Sequence, residues 1–347
     1  MNYFLKRPKR KTIGFTHKFY RIGGPTSFKS KFENYFNQIG YEFIYPWKAE
    51  IPEILFIING SRKIFWILLC KLLGSKIVLR LDGIEPSVKT YFFSRNFYLT
   101  LKNKLILALN IIIRNYLADG IVYQSEYLKH AWNENFRIIK TKDIIIYNSF
   151  DLKKVCNNKK NKILKLLCVE GNIPFENAYL EPVVKVSEYL QSKNLITETV
   201  VIGNINNQAK EYLIKKNKNI QVKGEIPHYD VLKYYPGSLY LVMEVNPACP
   251  NSVIEALANS VPIIGFKTGS LTEMLNNECS YLVDYNRDIK KLEVPDTREL
   301  LLAAENVIKN YDQYSKSARK LAEKKYALAK MGKEYLNLFN NLLQAKN

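Results

Sequence analysis

Residues 239–274 read LYLVMEVNPACPNSVIEALANSVPIIGFKTGSLTEM. The apolar run Leu239–Val245 enters a loop, Asn246–Asn251, that holds Pro247 and Pro250. Ser252–Asn259 follows with helical spacing, and Pro262–Phe266 is a second strand-like run. Strand, helix and strand in this order are the pattern of a parallel sheet covered by helices. Asn251 or Ser252 is expected to cap the helix, and Glu255 falls in its first turn. Backbone N–H groups at a helix start form an anion site. Glu255 then has two readings. It is a partner of the helix dipole, or a carboxylate that accepts hydrogen bonds from two adjacent hydroxyls such as a ribose diol.

The same rhythm runs outward in both directions. Thr12–Thr16 reads as a strand, followed by a glycine turn and a helix near Thr26–Ile39. Tyr41–Tyr45, Ile54–Ile58, Lys76–Leu81, Gly120–Tyr123 and Asp143–Tyr147 read as further strands, with helices over Arg62–Leu73 and Asn96–Leu117. Asp151–Lys162 is polar and pattern-free, which marks a linker. Beyond it, strands at Ile163–Val169, Glu198–Ile202 and Ile220–Val222 alternate with helices at Asn177–Gln191, Asn207–Lys215 and Tyr229–Tyr235. The tail Thr297–Leu343 is helical in period, with a break around Tyr311–Tyr314. At 347 residues the chain exceeds what one core usually serves. The expected fold class is therefore α/β, with two Rossmann-like domains facing a central cleft. Residues 1–155 and 156–325 are the expected domains, with a C-terminal helix at 325–347 packing back on the first.

Composition narrows the function classes. With 47% hydrophobic and 24% charged residues the chain is neither a disordered nor a collagen-like polymer. Cys70, Cys156, Cys168, Cys249 and Cys279 form no CxxC pair, which argues against a disulfide framework or structural zinc and fits a reducing compartment. MNYFLKRPKRK meets KTIGFT without an apolar core, so no secretory signal is expected, and no apolar run reaches membrane-spanning length. The net charge of +20 is uneven, +15 over residues 1–155 and +5 over the rest. A basic half attracts phosphorylated ligands, anionic lipid or nucleic acid alike, and a lysine-rich composition accounts for it equally well. Nucleic acid gains no support from an RNP-like or zinc-finger pattern. Lys6–Lys11, Arg62–Lys76 and Arg95–Arg114 mix basic residues with Phe, Trp, Tyr and Leu. They either lie on an anionic membrane surface or contribute apolar faces to the core.

CPNSVIEALANSVPIIGFKTGSLTEM resembles the nucleotide-binding segment of glycosyltransferase family 4, the retaining, nucleotide-sugar-dependent enzymes of GT-B fold. The family pattern is roughly E-G-x-P-N-V-x-L-E-A-M-A-C-G-x-P-V-I followed by G-G-x-x-E. Pro250, Asn251, Glu255, Ala256, Pro262, Gly269 and Glu273 fall on matching positions, and Ser260 stands where the family usually has Gly. RIGGPTSF (Arg21–Phe28) resembles the family's glycine-rich loop, where Gly23 and Gly24 permit close approach of the backbone to a pyrophosphate. ADGIVYQSEYLK (Ala118–Lys129), IIIYNSFD (Ile144–Asp151) and KGEIPHYDVLKYY (Lys223–Tyr235) resemble further family segments in order and spacing, so the similarity spans residues 11–285.

The resemblance implies transfer of a sugar from a nucleoside diphosphate sugar to a glycan or lipid-linked acceptor, with retention, in cell-surface polysaccharide or glycoconjugate synthesis. It implies that Glu255 holds the ribose. Gly23, Gly24 and the backbone of Pro250, Asn251 and Ser252 would cradle the diphosphate, and Gly269, Ser270 and Leu271 would border the donor sugar. No cofactor or metal is expected, the nucleotide sugar being a co-substrate. Asp82, in RLDGI at a strand's carboxyl end, is either a catalytic group that orients or deprotonates the acceptor hydroxyl or a turn residue before Gly83. His17 is a second catalytic candidate beside the glycine loop; His130 and His228 are expected on helix surfaces.

Three further departures stand against the family pattern. Its first Glu maps to Pro247, with Glu244 three residues earlier and Asn246 a neutral acceptor nearby. Its diphosphate-binding Arg and Lys map to Asn172 and, most nearly, Asn177. Arg21, Lys267 or Arg80 would have to supply the missing charge. The alternative is a GT-B-fold binding or partner subunit without full activity. The expected location is cytoplasmic, with peripheral attachment to the inner face of the membrane as a further possibility.

Overall fold

The computed structural model describes residues 11–17, 24–46, 50–83, 97–136, 141–155 and 165–345, with the backbone alone over 97–103. Arg21, Gly23, Arg95, Cys156 and most of Lys6–Lys11 lie outside the described residues. The chain forms two compact units, residues 1–148 with 328–347, and residues 149–327.

The first unit is built on β1 (Thr12–Phe15), β2 (Glu42–Ile44), β3 (Ile54–Ile58), β4 (Lys76–Arg80), β5 (Gly120–Tyr123) and β6 (Lys142–Ile145). They lie in the order β2-β1-β3-β4-β5-β6, all parallel. Every residue of the ILFII run in β3 is buried, as a central parallel strand covered on both faces requires. The helices are α1 (Gly24–Gln38), α2 (Ile64–Leu72), α3 (Phe97–Ile112) and α4 (Glu126–Asn135). The helix expected over 96–117 loosens at its end into a π-turn, Ile113–Leu117.

The second unit holds β7 (Lys165–Ile173), β8 (Glu198–Ile205), β9 (Ile220–Gly224), β10 (Ser238–Leu241), β11 (Ile263–Phe266) and β12 (Ser280–Val283). Its order is β12-β11-β10-β7-β8-β9, again all parallel. Around this sheet lie α5 (Asn177–Ser192), α6 (Asn207–Lys216), α7 (His228–Leu232), α8 (Asn251–Ala258), α9 (Leu271–Met274), α10 (Arg298–Lys309) and α11 (Tyr311–Lys325). The polar stretch expected as a linker is described only over 151–155, where Asp151 caps a single 3-10 turn, Leu152–Lys154.

Several strands differ in length from expectation, and two of them lie at the middle of the second sheet. β10 ends at Leu241 rather than Val245, although Val242 N–H still bonds to Ile264 O at 3.0 Å. β7 runs on past Val169 to Ile173 because its register shifts between Val169 and Asn172. Gly203, at φ +147, makes room: a Cβ there would stand 1.9 Å from Glu170 O.

The chain's last helix, α12 (Leu328–Gln344), belongs to the first unit and closes its core. Gly332 rides on the Tyr35 ring, and Tyr335 and Phe339 pack among Phe28, Phe32, Phe36 and Phe56. Phe32 is the hub. Its ring lies 4.3 Å from Phe36, 4.9 Å from Phe56 and 5.3 Å from Tyr335, and the residue is fully buried. Truncating it opens a cavity between two helices and the sheet. Phe32→Ala is expected to lower the stability of this unit by about 3–5 kcal/mol, read from denaturant unfolding.

Candidate functional site

In the second sheet, β7 and β10 are neighbours although the chain leaves them toward opposite edges. A sheet wound this way opens a crevice at the carboxyl ends of those two strands. The segment after β10 leads into α8. Pro250, not Asn251 or Ser252, takes the cap position, and its carbonyl accepts from Ile254 N–H at 3.4 Å. The ring holds φ at −68° and brings that carbonyl to the first helical bond, which moves the cap one residue upstream of expectation. No side chain caps the helix, and Asn251 Oδ1 is buried without a partner. A helix start so left has N–H donors for an anion.

The loop after β11 closes on the same segment. Ser270 N–H bonds to Pro247 O at 2.8 Å, and Gly269 adopts φ +53. A Cβ on Gly269 would meet Pro247 O at 2.4 Å, so only glycine fits. Of the residues expected to border a donor sugar, Ser270 and Leu271 have fully buried side chains, and their N–H groups bond to Pro247 O and Thr268 O.

Glu255 is 4% exposed. Its Oε2 accepts from Tyr235 OH at 3.3 Å, while His228 Nε2 lies 2.8 Å from Oε1. The His228 side chain is half exposed and forms the outer wall of this carboxylate. Sequence reading set His228 on a helix surface and missed this contact. A ring at the start of the five-residue α7 looks like any surface histidine until the fold brings Glu255 against it.

Two further carboxyl groups, both half-buried, stand past the carboxyl ends of the neighbouring strands, Glu170 at the bulge of β7 and Glu244 three residues beyond β10. Burial pushes Glu244 up to about 7. Burial, and then the neighbouring Glu244 charge, raise Glu170 well above the carboxylate range. Glu170 Oε1 has no partner. Tyr240 bridges toward them, its OH donating to Val169 O at 2.9 Å. Asn172 lies exposed just past Glu170 and accepts from Asn204 Nδ2 at 3.2 Å; Asn177 is an exposed first residue of α5.

In the first unit the carboxyl ends of β4, β5 and β6 converge on a closed ring of hydrogen bonds. Arg80 donates to Asp82 Oδ1 and, at 2.7 Å, to Asn148 Oδ1. Asn148 donates to Gln124 Oε1 at 3.0 Å, and Gln124 donates to Asp82 Oδ1 at 2.6 Å. The Arg80 guanidinium stacks 3.9 Å from the Phe28 ring centre and is buried. Burial raises the Asp82 carboxyl despite Arg80 and Gln124. Both bonds converge on Oδ1, leaving Oδ2 without a partner. His17 Nδ1 lies 3.0 Å from Thr16 Oγ1, and burial, then the Lys29 charge, lower its basicity. Gly24 opens α1.

Arg80 is therefore committed to Asp82 and Asn148, and Lys267 is paired with Asp284 at 3.0 Å. Neither stands as an unengaged cation for a phosphate. Among the described residues no group of three or more His, Cys, Asp or Glu could hold a metal.

No protein-family model and no curated protein sequence matches the chain. Solved structures do. A glycosyltransferase from Rickettsia africae is 15% identical, with a TM-score of 0.69 over 98% of this chain and 100% of its own. Sucrose-phosphate synthase from Thermosynechococcus elongatus is 12% identical, with a TM-score of 0.70 over 97% and 100%. HepE of Anabaena, in complex with UDP and glucose, is 11% identical, with a TM-score of 0.71 over 95% and 100%. At such identities the likeness shows the fold, which is the two-domain α/β fold of GT-B glycosyltransferases.

The Glu170 and Glu244 carboxyls make stability depend on pH. Their folded values are raised, so the folded unit binds protons that the unfolded chain has released, and stability falls as pH rises from about 4.5 through about 7. Glu244→Gln is expected to reduce that slope. Above about pH 7 the variant should exceed wild type by an amount on the order of 1–3 kcal/mol in denaturant unfolding, the gap closing in acid.

Proposed function

We propose that the chain transfers a sugar from a nucleoside diphosphate sugar to an acceptor hydroxyl. The observation that carries this reading is the pairing of Glu255 with the uncapped start of α8 at the strand-order crevice of the second sheet. The diphosphate would lie on the N–H groups of Asn251, Ser252 and Val253, with Gly269 holding the neighbouring loop close. Glu255 would take the ribose hydroxyls. A carboxylate offers about four acceptor positions, so Tyr235 and His228 leave room for a diol. The full-length likeness to HepE, crystallised with UDP and glucose, supports a nucleoside diphosphate hexose as donor.

On the acceptor side, Asp82 Oδ2 is the group suited to orient the hydroxyl and receive its proton, since Oδ1 is held by Arg80 and Gln124. His17, kept neutral by burial, would assist beside the start of α1. Retention at the anomeric carbon, a glycan or lipid-linked acceptor and a role in cell-surface glycoconjugate synthesis are part of the same proposal and rest on the motif resemblance. A cytoplasmic, reducing location is part of the same proposal and rests on the sparse cysteines without a CxxC pair.

A second reading is a binding or partner subunit that holds the nucleotide sugar without transfer. The engaged state of Arg80 and Lys267 and the acid pair Glu170 and Glu244 favour it, because a departing diphosphate needs positive charge or strong donors.

The two readings separate by experiment. Titration calorimetry with UDP and GDP, then release of nucleoside diphosphate from their sugars, should show binding and turnover if transfer occurs, and binding without turnover under the second reading. Absence of binding at millimolar nucleotide overturns both. Glu255→Ala is expected to weaken nucleotide binding roughly tenfold or more, as loss of charged hydrogen bonds does, and Glu244→Ala less. Equal effects would remove Glu255 from the ribose.

A further inference from the structure

Helix α2 carries its apolar stripe on the outside. A helix covering a sheet normally turns that stripe toward the strands. Here residues 65, 68, 69, 72 and 73 share one face, and they are Phe65, Leu68, Leu69, Leu72 and Leu73. All five are exposed, Phe65 at 88% and Leu72 at 83%, while Ile67 and Cys70 supply the buried side. The pattern continues on the next helix. Leu105, Ile112 and Tyr116 lie on one face of α3 and its π-turn and are 54%, 44% and 72% exposed. The two faces are tied together, since Lys71 donates to Leu117 O at 2.7 Å and pairs with Asp119 at 3.0 Å.

Neither Ser61–Leu73 nor Leu105–Leu117 contains an Asp or Glu. Arg62 and Lys63 stand exposed at the head of α2. Scattered single apolar residues on a surface need no explanation, but a contiguous face of large ones flanked by Arg62 and Lys63, with the Asp119 carboxylate at its seam taken by Lys71, does.

We propose that this face docks on the surface of an anionic lipid bilayer. Phe and Leu side chains would enter the headgroup boundary, while Arg62 and Lys63 meet lipid phosphates. Charge decides between this occupant and a second copy of the chain. A two-fold interface sets a patch against itself, so Arg62 and Lys63 would face their own copies, and the Asp119 carboxylate at the seam is already paired with Lys71. An anionic surface supplies the complement that the patch lacks. The protein would lie on the bilayer, because no helix among the described residues is long and apolar enough to cross it.

Sedimentation of the full chain with vesicles tests this without any nucleotide, so its outcome is independent of the transferase reading. Vesicles of phosphatidylglycerol and phosphatidylcholine in equal parts should carry the protein down, phosphatidylcholine alone should not, and added salt should weaken the binding. The double variant Phe65→Ser with Leu72→Ser alters two exposed side chains and should keep the wild-type melting temperature. It should lower the partition coefficient onto anionic vesicles about tenfold or more. Binding that is absent at low salt, or equal for wild type and variant, overturns the proposal. So does a dimer in solution that the double variant splits, since the face would then belong to a second copy.

Discussion

A parallel strand has to be left by a crossover, and the crossover brings the chain back to start every strand at the same edge. Both sheets obey this constraint throughout, so each gathers six carboxyl ends along one edge. The inner strands are apolar and covered on both faces, which leaves that edge as the place where polar side chains collect beside a buried core. The Arg80–Asp82–Gln124–Asn148 ring stands at such an edge in the first unit. In the second, Glu170, Glu244, Asn251 and Glu255 stand at another.

The two edges solve the burial of charge differently. In the first unit every member of the ring has a partner among the others, and the Arg80 charge is held between a carboxylate, an amide and an aromatic face. A closed ring of this kind fixes rotamers, so the one unengaged oxygen of Asp82 points where the ring sets it. In the second unit Glu170 and Glu244 have no cation beside them among the described residues, only a backbone hydrogen bond from Glu244 to Glu170, and burial favours their protonated forms.

Much of this was legible in the sequence, for reasons that differ residue by residue. Apolar runs such as ILFII and IIGF mark buried parallel strands because period and length suffice for that, and the Pro250–Glu255 stretch announces a strand-to-helix turn. The end of β7 was not legible. A strand ends where its neighbour stops pairing, and here the bulge and Gly203 extend the pairing past the polar residues Glu170 and Asn172. The contact of His228 with Glu255 spans 27 positions and depends on how α7 seats against α8. The outward face of α2 was ambiguous for a different reason. An apolar stripe has the same spacing whether it faces a core or a membrane, so periodicity alone does not give its direction.

The acid pair also bears on how a diphosphate would be held under the transferase reading. Two ionised carboxylates at the carboxyl ends of β7 and β10 would repel it. Protonated carboxyls are hydrogen-bond donors instead, and burial at Glu170 and Glu244 drives them toward that form. The helix start at α8 contributes fixed dipoles rather than full charge, which suits a site from which a basic pair is missing. Neutral donors and helix amides hold a diphosphate less strongly than guanidinium and ammonium groups do, because charge-assisted bonds are roughly twice as strong. Under that reading the weaker hold on the diphosphate follows from the absent basic pair, and a preference for acidic conditions follows from where the two glutamates sit.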